Sequence, residues 1–332
     1  MKATQKEIAE ALGLSPASVS LVLNGKPNKL SKESQERILR TASEMNYEAR
    51  KKLHAEKAVE NCIGLIVPSL TNYFFAEVVQ GVCEYAQGCE SRVLFFTSNG
   101  SADADQKAIQ LMKSSPLQAL LITSSSDCRE DIFSSLQCPI IQVDRHSPEL
   151  HYSSVVLNNR KGGFLATQHL LGLGHRKVAY LSGPTQLESA RERLSGFYWA
   201  YQEKGLQTSA DCVFEGNYQY ESGYRAADKI LGKHFTAVAC GNDVMAYGII
   251  KRCGELGIRV PEDLSIVGFD NLTFSELIKP ALTTVSQSGY AIGYRACQLA
   301  FQEIEDPKAH KQTILLEPDL VVRNSTAPAE AE

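Results

Sequence analysis

The sequence predicts an N-terminal all-α helix-turn-helix head followed by an α/β core of two doubly wound parallel-sheet subdomains. Three observations predict it. Short helical patterns punctuated by capping residues and glycine fill residues 1–47. From residue 62 onward, short apolar runs alternate with helical patterns, the signature of parallel sheets with helices on both faces. That alternation continues for roughly 270 residues, more than one sheet and one core ordinarily serve, so two subdomains are expected.

In the head, Thr4 followed by Glu7 matches a capping box. Ile8, Ala9 and Leu12 then give one apolar face to a short helix, and Gly13 permits the turn. Ser15 can cap the next helix, and Pro16 suits its first position, where no N–H is needed. Val19, Val22 and Leu23 form its inward stripe, and Gly25, after Asn24, can end it in a left-handed conformation. Ser31 starts a third helix with Ile38, Leu39, Ala42 and Met45 inward. Three short helices with a Gly turn between the first two is the helix-turn-helix plan. The second helix, "PASVSLVL", has only small, hydroxyl and aliphatic side chains, which permits close approach to a major groove. Ser18 and Ser20 can bond phosphates or base edges. A three-helix module for protein contacts is the rival reading.

Charge bears on that choice. The net charge is −4, yet residues 1–57 carry 11 Lys/Arg against 7 Asp/Glu, while the remainder carries 23 against 31. A basic head on an acidic body points to an anionic partner for the head alone.

In the body the apolar runs are "CIGLIVP" (62–68), "RVLFFTS" (92–98), "ALLITS" (119–124), "PIIQVD" (139–144), "VVLN" (155–158), "KVAYLSG" (177–183), "AVACGND" (237–243) and "LSIVGFDN" (264–271). Helical stretches such as "FAEVVQGVCEYAQGC" and "ARERLSGFYWAYQEKG" separate most of them. Ligands of such folds bind beyond the carboxyl ends of strands, so the residues just after each run matter most. Other classes find little support. "GLGHRK" lacks the third Gly of a dinucleotide loop and follows a helix rather than a strand. No GxSxG elbow, P-loop or HExxH occurs, and the seven His form no metal spacing, so neither an enzyme, a metal site nor a cofactor is expected. The nine Cys are scattered without a CxxC pair, and no apolar stretch reads as a signal peptide or membrane span. A cytoplasmic protein without membrane partners is therefore expected.

The run "TQKEIAEALGLSPASVSLVLNGK" resembles the DNA-reading head of the lactose-repressor (LacI/GalR) family. "IGLIVPSLTNYFFAEVVQG", "NNRKGGFLATQHLLGLGHRKVAYLSGP", "RERLSGF", "ACGNDVMAYG", "GIRVPEDLSIVGFDN" and "PALTTVSQ" resemble, in order, phrases of that family's effector-binding core, which is similar to periplasmic sugar-binding proteins. The resemblance implies a sequence-specific DNA-binding transcriptional regulator, expected to be a repressor, that binds double-stranded operator DNA as a homodimer under control of a small effector. Alternatives are a cytoplasmic solute-binding protein, which leaves the head unexplained, and a corepressor-dependent regulator responding to a purine or phosphosugar.

The resemblance also implies domain limits and site residues. The head spans 1–47 and a hinge 48–61; the N-subdomain of the core takes 62–158 plus about 288–314, and the C-subdomain 159–287 plus about 315–326. DNA contacts fall on Thr4, Lys6, Ser15, Pro16, Ala17, Ser18, Ser20, Leu21, Asn24, Arg50 and Leu53, with base reading at Pro16, Ala17 and Leu21. The hinge departs from the family pattern: Ala49 stands where a Pro is usual, and Leu53 competes as a minor-groove wedge with a purely basic tether around Arg50, Lys51, Lys52 and Lys57. The effector site falls on Asn72, Phe74, Phe75, Asp144, Arg193, Tyr218, Asn242, Asp270 and Gln287. Aromatic faces would stack on a ring while Arg, Asp and Asn satisfy hydroxyls or ring nitrogens. Six have a plainer alternative: local pairing for Asp144 with Arg145 and for Arg193 with Glu188 or Glu192, helix capping for Asp270, stabilising its own turn for Asn242, and core packing for Phe74 and Tyr218. Leu187 stands where some purine-responsive members carry an arginine or polar residue, which favours a neutral ligand such as a sugar. Ala291 and Gln298 replace the acid and arginine through which one member binds a phosphorylated carrier protein, so that partner is not expected.

Overall fold

The computed structural model describes residues 4–23, 30–45, 61–113, 115–125, 130–134, 136–147 and 149–329. The chain divides into two compact units, Met1–Ala58 and Val59–Glu332.

The first unit contains α1 (Gln5–Leu12), α2 (Pro16–Leu23) and α3 (Lys32–Glu44). Thr4 and Glu7 form the capping box: the Thr4 N–H donates to Glu7 Oε2 at 2.6 Å, and the Glu7 N–H donates to Thr4 Oγ1 at 3.3 Å. Gly13 ends α1 at φ 67°, a left-handed value that a Cβ would strain. The Ser15 and Ser31 hydroxyls accept from the N–H groups of Ser18 and Ser34, capping α2 and α3. Ile8, Ala9, Val19, Val22, Ile38 and Ala42 make the small core. Leu39 is not part of it and is 53% exposed. Successive helical residues lie about 100° apart, so with Ile38 fully inward its neighbour turns to solvent.

The second unit begins with β1 (Cys62–Val67), α4 (Tyr73–Gly88), β2 (Arg92–Thr97), α5 (Ala102–Met112), β3 (Leu117–Ile122), β4 (Ile140–Val143) and β5 (Ser153–Leu157). The chain then crosses into α6 (Asn159–Gly172), β6 (Val178–Ser182), α7 (Glu188–Glu203), β7 (Val213–Glu215), α8 (Tyr220–Leu231), β8 (Ala237–Cys240), α9 (Asp243–Leu256), β9 (Ser265–Asp270), α10 (Phe274–Leu277) and β10 (Thr283–Ser286). It returns through α11 (Gly289–Glu305) and β11 (Thr313–Leu316), then crosses again to β12 (Asp319–Val321). Two six-stranded sheets result, ordered β11-β5-β4-β3-β1-β2 and β12-β10-β9-β8-β6-β7. Within them only the β10–β12 pair is antiparallel. Three connections therefore join the subdomains, after Leu157, after Ser286 and between Leu316 and Asp319.

Strand periodicity explains the two-sided cores. Alternate residues of β1 face opposite ways: Ile63, Leu65 and Val67 pack with Phe74, Val78, Ile292 and Leu299, whereas Ile66 packs with Ile109, Leu120 and Phe133. The second sheet does the same, with Tyr180, Phe197 and Phe269 on one side and Leu181, Met245 and Ile249 on the other. Helix α6 lies so close to α7 that no side chain fits between them. A Cβ on Gly163 would sit 2.0 Å from the Arg193 carbonyl oxygen, and one on Gly196 would sit 2.0 Å from that of Arg160. This approach brings Arg193 within reach of Asn159.

Asp243, fully buried at the start of α9, ties the crossing region together. Its carboxylate accepts from Thr284 Oγ1 at 2.6 Å, Ser275 Oγ at 2.5 Å and the Leu272 N–H at 2.9 Å. Burial pushes its pKa up to about 6 despite those bonds. Among the described residues no helix is long and apolar enough to cross a membrane, and no cluster of three or more His, Cys, Asp or Glu is placed to hold a metal ion.

Candidate functional site

A cleft of about 700 Å³ opens in the second unit where the carboxyl ends of both sheets meet. Its position follows the rule for open parallel sheets. Asn72, Phe74 and Phe75 reach it from the segment after β1, and Asp144 from the end of β4. Arg193 comes from α7, Tyr218 from the loop after β7, Asn242 from the end of β8, Asp270 from β9 and Gln287 from the segment after β10. All nine residues expected at an effector site thus line one cavity.

Arg193 is the centre of its polar network and is buried. Its Nε donates to Asn159 Oδ1 at 2.7 Å, its Nη1 to the Gly241 carbonyl at 2.7 Å, and its Nη2 to Gln287 Oε1 at 3.4 Å. The guanidinium lies 3.7 Å over the Phe269 ring and 3.7 Å from Asp270 Oδ1. These partners exclude a surface pair with Glu188 or Glu192. Burial works against its charge, but Tyr218, Asp270 and Asp144 together hold its pKa above the ordinary value. Asp270 Oδ1 accepts from Gln287 Nε2 at 2.6 Å, which orients the carboxyl and leaves Oδ2 buried without a partner. Burial drives the Asp270 pKa well above its ordinary value, and Arg193 only partly offsets that.

Three further buried atoms of the cleft have no hydrogen-bond partner: Asp144 Oδ1, Tyr218 Oη and Arg145 Nε. Unsatisfied buried polar groups are uncommon, and in a cleft they are groups a ligand can satisfy. Asp144 and Tyr218 both adopt left-handed backbone, at φ 65° each, and Asp270 stands at φ 113°. Such values are costly for non-glycine residues and cluster at functional sites. The left-handed turn at Asp144 breaks the alternation in which neighbours point to opposite faces, so Asp144 and Arg145 both line the cleft, where each feels the other's opposite charge.

Other expected residues have double duty. Asn242 caps α9 through the Met245 N–H at 3.0 Å while its amide donates to the Tyr218 carbonyl at 3.1 Å. Asn72 caps α4 through the Phe74 N–H at 3.1 Å. Phe74 and Phe75 are core residues whose rings also face the cleft. Beside the cleft, Tyr73 of α4 meets Phe274 of α10 edge-to-face at 5.1 Å, an aromatic contact between subdomains. Reading the sequence missed Arg145 and Asn159. The first enters the sequence reading solely as an alternative local partner of Asp144; the second sits in "NNRKGG", where a helix cap explains an asparagine equally well.

In the head, Pro16, Ala17 and Leu21 are exposed on α2, opposite the buried Val19 and Val22. Ser18 and Ser20 are half-buried, and Ser15 Oγ lies 2.9 Å from Ser18 Oγ. Thr4 and Lys6 are exposed at the start of α1. This is one face packed and one presented, the arrangement groove reading needs. Asn24, Arg50 and Leu53, with the hinge up to residue 60, lie outside the described residues.

Comparisons with known proteins agree on one relationship. A family model described as a periplasmic binding protein-like domain matches residues 167–326. The chain is 31% identical over 329 residues to the HTH-type transcriptional repressor PurR of Vibrio vulnificus, covering 97% of this chain and 98% of that protein. It is 31% identical over 327 residues to the ribose operon repressor of Haemophilus influenzae, with the same coverage. A LacI family regulator from Enterococcus faecium with bound ribose matches with a TM-score of 0.75 and 26% identity, over 81% of this chain and 100% of that chain. The lac repressor dimer bound to operator and the anti-inducer ONPF matches with a TM-score of 0.73 and 25% identity, over 98% of this chain and 100% of that one.

Proposed function

The chain belongs to the lactose-repressor (LacI/GalR) family, and from that premise we propose that its DNA-binding repressor activity is controlled by a sugar held in the cleft between the core subdomains. One observation carries the sugar reading: around the buried Arg193, the carboxylate oxygens Asp144 Oδ1 and Asp270 Oδ2 are buried and unpartnered. A carboxylate accepts hydrogen bonds and its protonated form also donates one, so these two groups ask for a ligand whose own groups both donate and accept, as sugar hydroxyls do. Phe74, Phe75 and Tyr218 offer apolar faces to the ring carbons. The family structures with bound ribose, and Leu187 at the cleft wall, support the same choice over a purine.

The expected roles follow. Arg193, Asp144, Asp270, Asn242 and Gln287 bind polar groups of the ligand; Asn72, Phe74, Phe75 and Tyr218 shape the walls. The ligand touches both subdomains, so it favours one relative arrangement of them, and that difference in affinity is what couples it to DNA. Pro16, Ala17 and Leu21 offer apolar groups suited to thymine methyls, while Thr4, Lys6, Ser15, Ser18 and Ser20 serve phosphates or base edges. One such helix reads few base pairs, so a cytoplasmic homodimer on a near-palindromic operator is the working form, with a regulatory rather than catalytic role. Arg50 and Leu53 complete the proposed contacts, Leu53 as the wedge.

A thermal-shift screen of the full chain tests the ligand class, because a compound bound only by the folded state raises the midpoint. A rise with pentoses, hexoses or their phosphates, and none with adenine or guanine, is expected. A rise confined to the purines would overturn the sugar reading.

A further inference from the structure

A second hollow adjoins the cleft. A groove of about 440 Å³ runs along the outer edge of the second sheet and is lined by β7 and α8. Asn217 and Glu221 line the groove and the cleft alike, so the two are continuous at the start of α8. β7 is the last strand of its sheet, and its outer backbone N–H and C=O groups have no neighbouring strand to pair with. Across from it, Glu221, Arg225 and Lys229 recur every fourth residue and so share one face of α8. Phe214 of β7 lines the groove as well, with the Lys233 ammonium 5.4 Å from its ring centroid. The Arg193 network reaches none of these residues.

The chemistry of the groove selects its occupant. Glu215 and Glu221 set two carboxylates against the cations of Arg225 and Lys229, all four exposed. A charged ligand would meet repulsion there as well as attraction. A neutral polyol meets no repulsion: its hydroxyls donate to the carboxylates and accept from the two cations, and its ring carbons rest on Val213 and Phe214. Size points the same way. The cleft alone, at about 700 Å³, lies in the range that takes drug-sized ligands, more than one sugar ring of about a dozen non-hydrogen atoms fills. We propose that the effector is a neutral oligosaccharide whose first ring is held at Arg193 and whose further rings pass over Asn217 and Glu221 into the groove beside β7. The inference rests on the sugar reading and deepens it, naming chain length as the property sensed.

The test is calorimetric titration of the full chain with sugars of one to four units: D-glucose with the cello- and malto-oligosaccharides, D-xylose with the xylo-oligosaccharides, D-fructose with the fructo-oligosaccharides, and D-ribose alone. In at least one series the longest member binds about 10-fold or more tighter than the monosaccharide, a gain well within what the non-hydrogen atoms of the added rings can contribute. The double variant Glu215→Ala, Arg225→Ala changes two side chains that line the groove and not the cleft. It binds that longest member about 5-fold or more weaker than the wild type does, while its monosaccharide affinity stays within about 2-fold. Both side chains are exposed, and thermal midpoints report whether the variant is folded; if it is not, Arg225→Ala alone decides. Binding confined to monosaccharides, equal affinity at every length, or a gain with length that the folded variant keeps in full would overturn the groove while leaving the sugar reading intact. No binding by any of these sugars overturns both.

Discussion

Replacing Arg193 with Met removes the charge and the bonds but keeps most of the side-chain volume. Asp270 loses the one cation beside it, at 3.7 Å, while Asn159 Oδ1, the Gly241 carbonyl and Gln287 Oε1 lose their donor. Breaking a buried charge pair by removing one partner costs about 3–5 kcal/mol, chiefly because the remaining charge is uncompensated. At about 2–4 °C per kcal/mol for domains of this size, the thermal midpoint of Arg193→Met falls by about 6–20 °C. The loss depends on pH in a defined direction. Burial already raises the Asp270 pKa, and Arg193 pulls against that; without Arg193 it rises further. A carboxyl whose folded pKa is raised favours the folded state below its unfolded pKa and stops doing so as pH climbs through the folded one. The deficit of Arg193→Met is therefore largest at neutral pH and shrinks on acidification. Urea unfolding of the wild type, Arg193→Met, Asp270→Asn and the double variant, at neutral and mildly acidic pH, measures this. The double variant should recover part of the loss, because no buried charge is left unpaired. Strict additivity of the two single changes, or a deficit under about 1 kcal/mol at neutral pH, would refute the reasoning.

Asp243, with its pKa pushed up to about 6 from an ordinary 3.8, should give a pH-dependent stability of the same sign: its contribution is fully present below the ordinary value and fades as pH rises through about 6. Asp243→Asn should flatten that part of the stability–pH curve, and an unchanged slope in urea midpoints across that window would assign it to other groups. Gly163→Ala should destabilise by about 1–3 kcal/mol, since overpacking forces α6 from α7, and it should weaken ligand binding because Arg193 shifts with the helix; calorimetry and thermal unfolding report the two effects. Operator affinity should fall steeply with salt as Lys6 and its neighbours release counterions, and Leu21→Ala should alter base preference where Lys6→Ala weakens all sequences evenly. Selection from a randomised duplex pool with each variant separates these, and identical selected sequences for Leu21→Ala and wild type would contradict base reading by Leu21.

Legibility in the sequence followed burial on both faces, except at β2, a half-exposed margin strand that still appears as the run "RVLFFTS". β1, β3, β4, β5, β6, β8 and β9 are buried nearly throughout, and each appears as an apolar run that two-sided packing demands. β7, β11 and β12 are short, at sheet margins and half-exposed, so no run marks them. β10 is buried, but its "TTVS" is hydroxyl-rich because Thr284 serves Asp243 and Thr283 meets the Ser325 hydroxyl through its N–H. The third helix misled at one residue: Ile38 and Leu39 are adjacent, and a helix can turn only one of them fully inward. Within the cleft, resemblance carried the nine residues with matching family phrases, whereas Arg145 needed the left-handed turn at Asp144, which turns both neighbours to the cleft. Asn159 needed the glycine-mediated approach of α6 and α7 before Arg193 could reach it.

Fluorescence anisotropy of the full chain on a selected operator, titrated in the absence and presence of the sugar that raises its thermal midpoint most, tests control of DNA binding by the cleft most directly. A ligand-dependent change in operator affinity of about 5- to 150-fold, the range of coupling energies between linked sites, is the predicted result. Saturation of the cleft by that sugar with no change in operator affinity would contradict it.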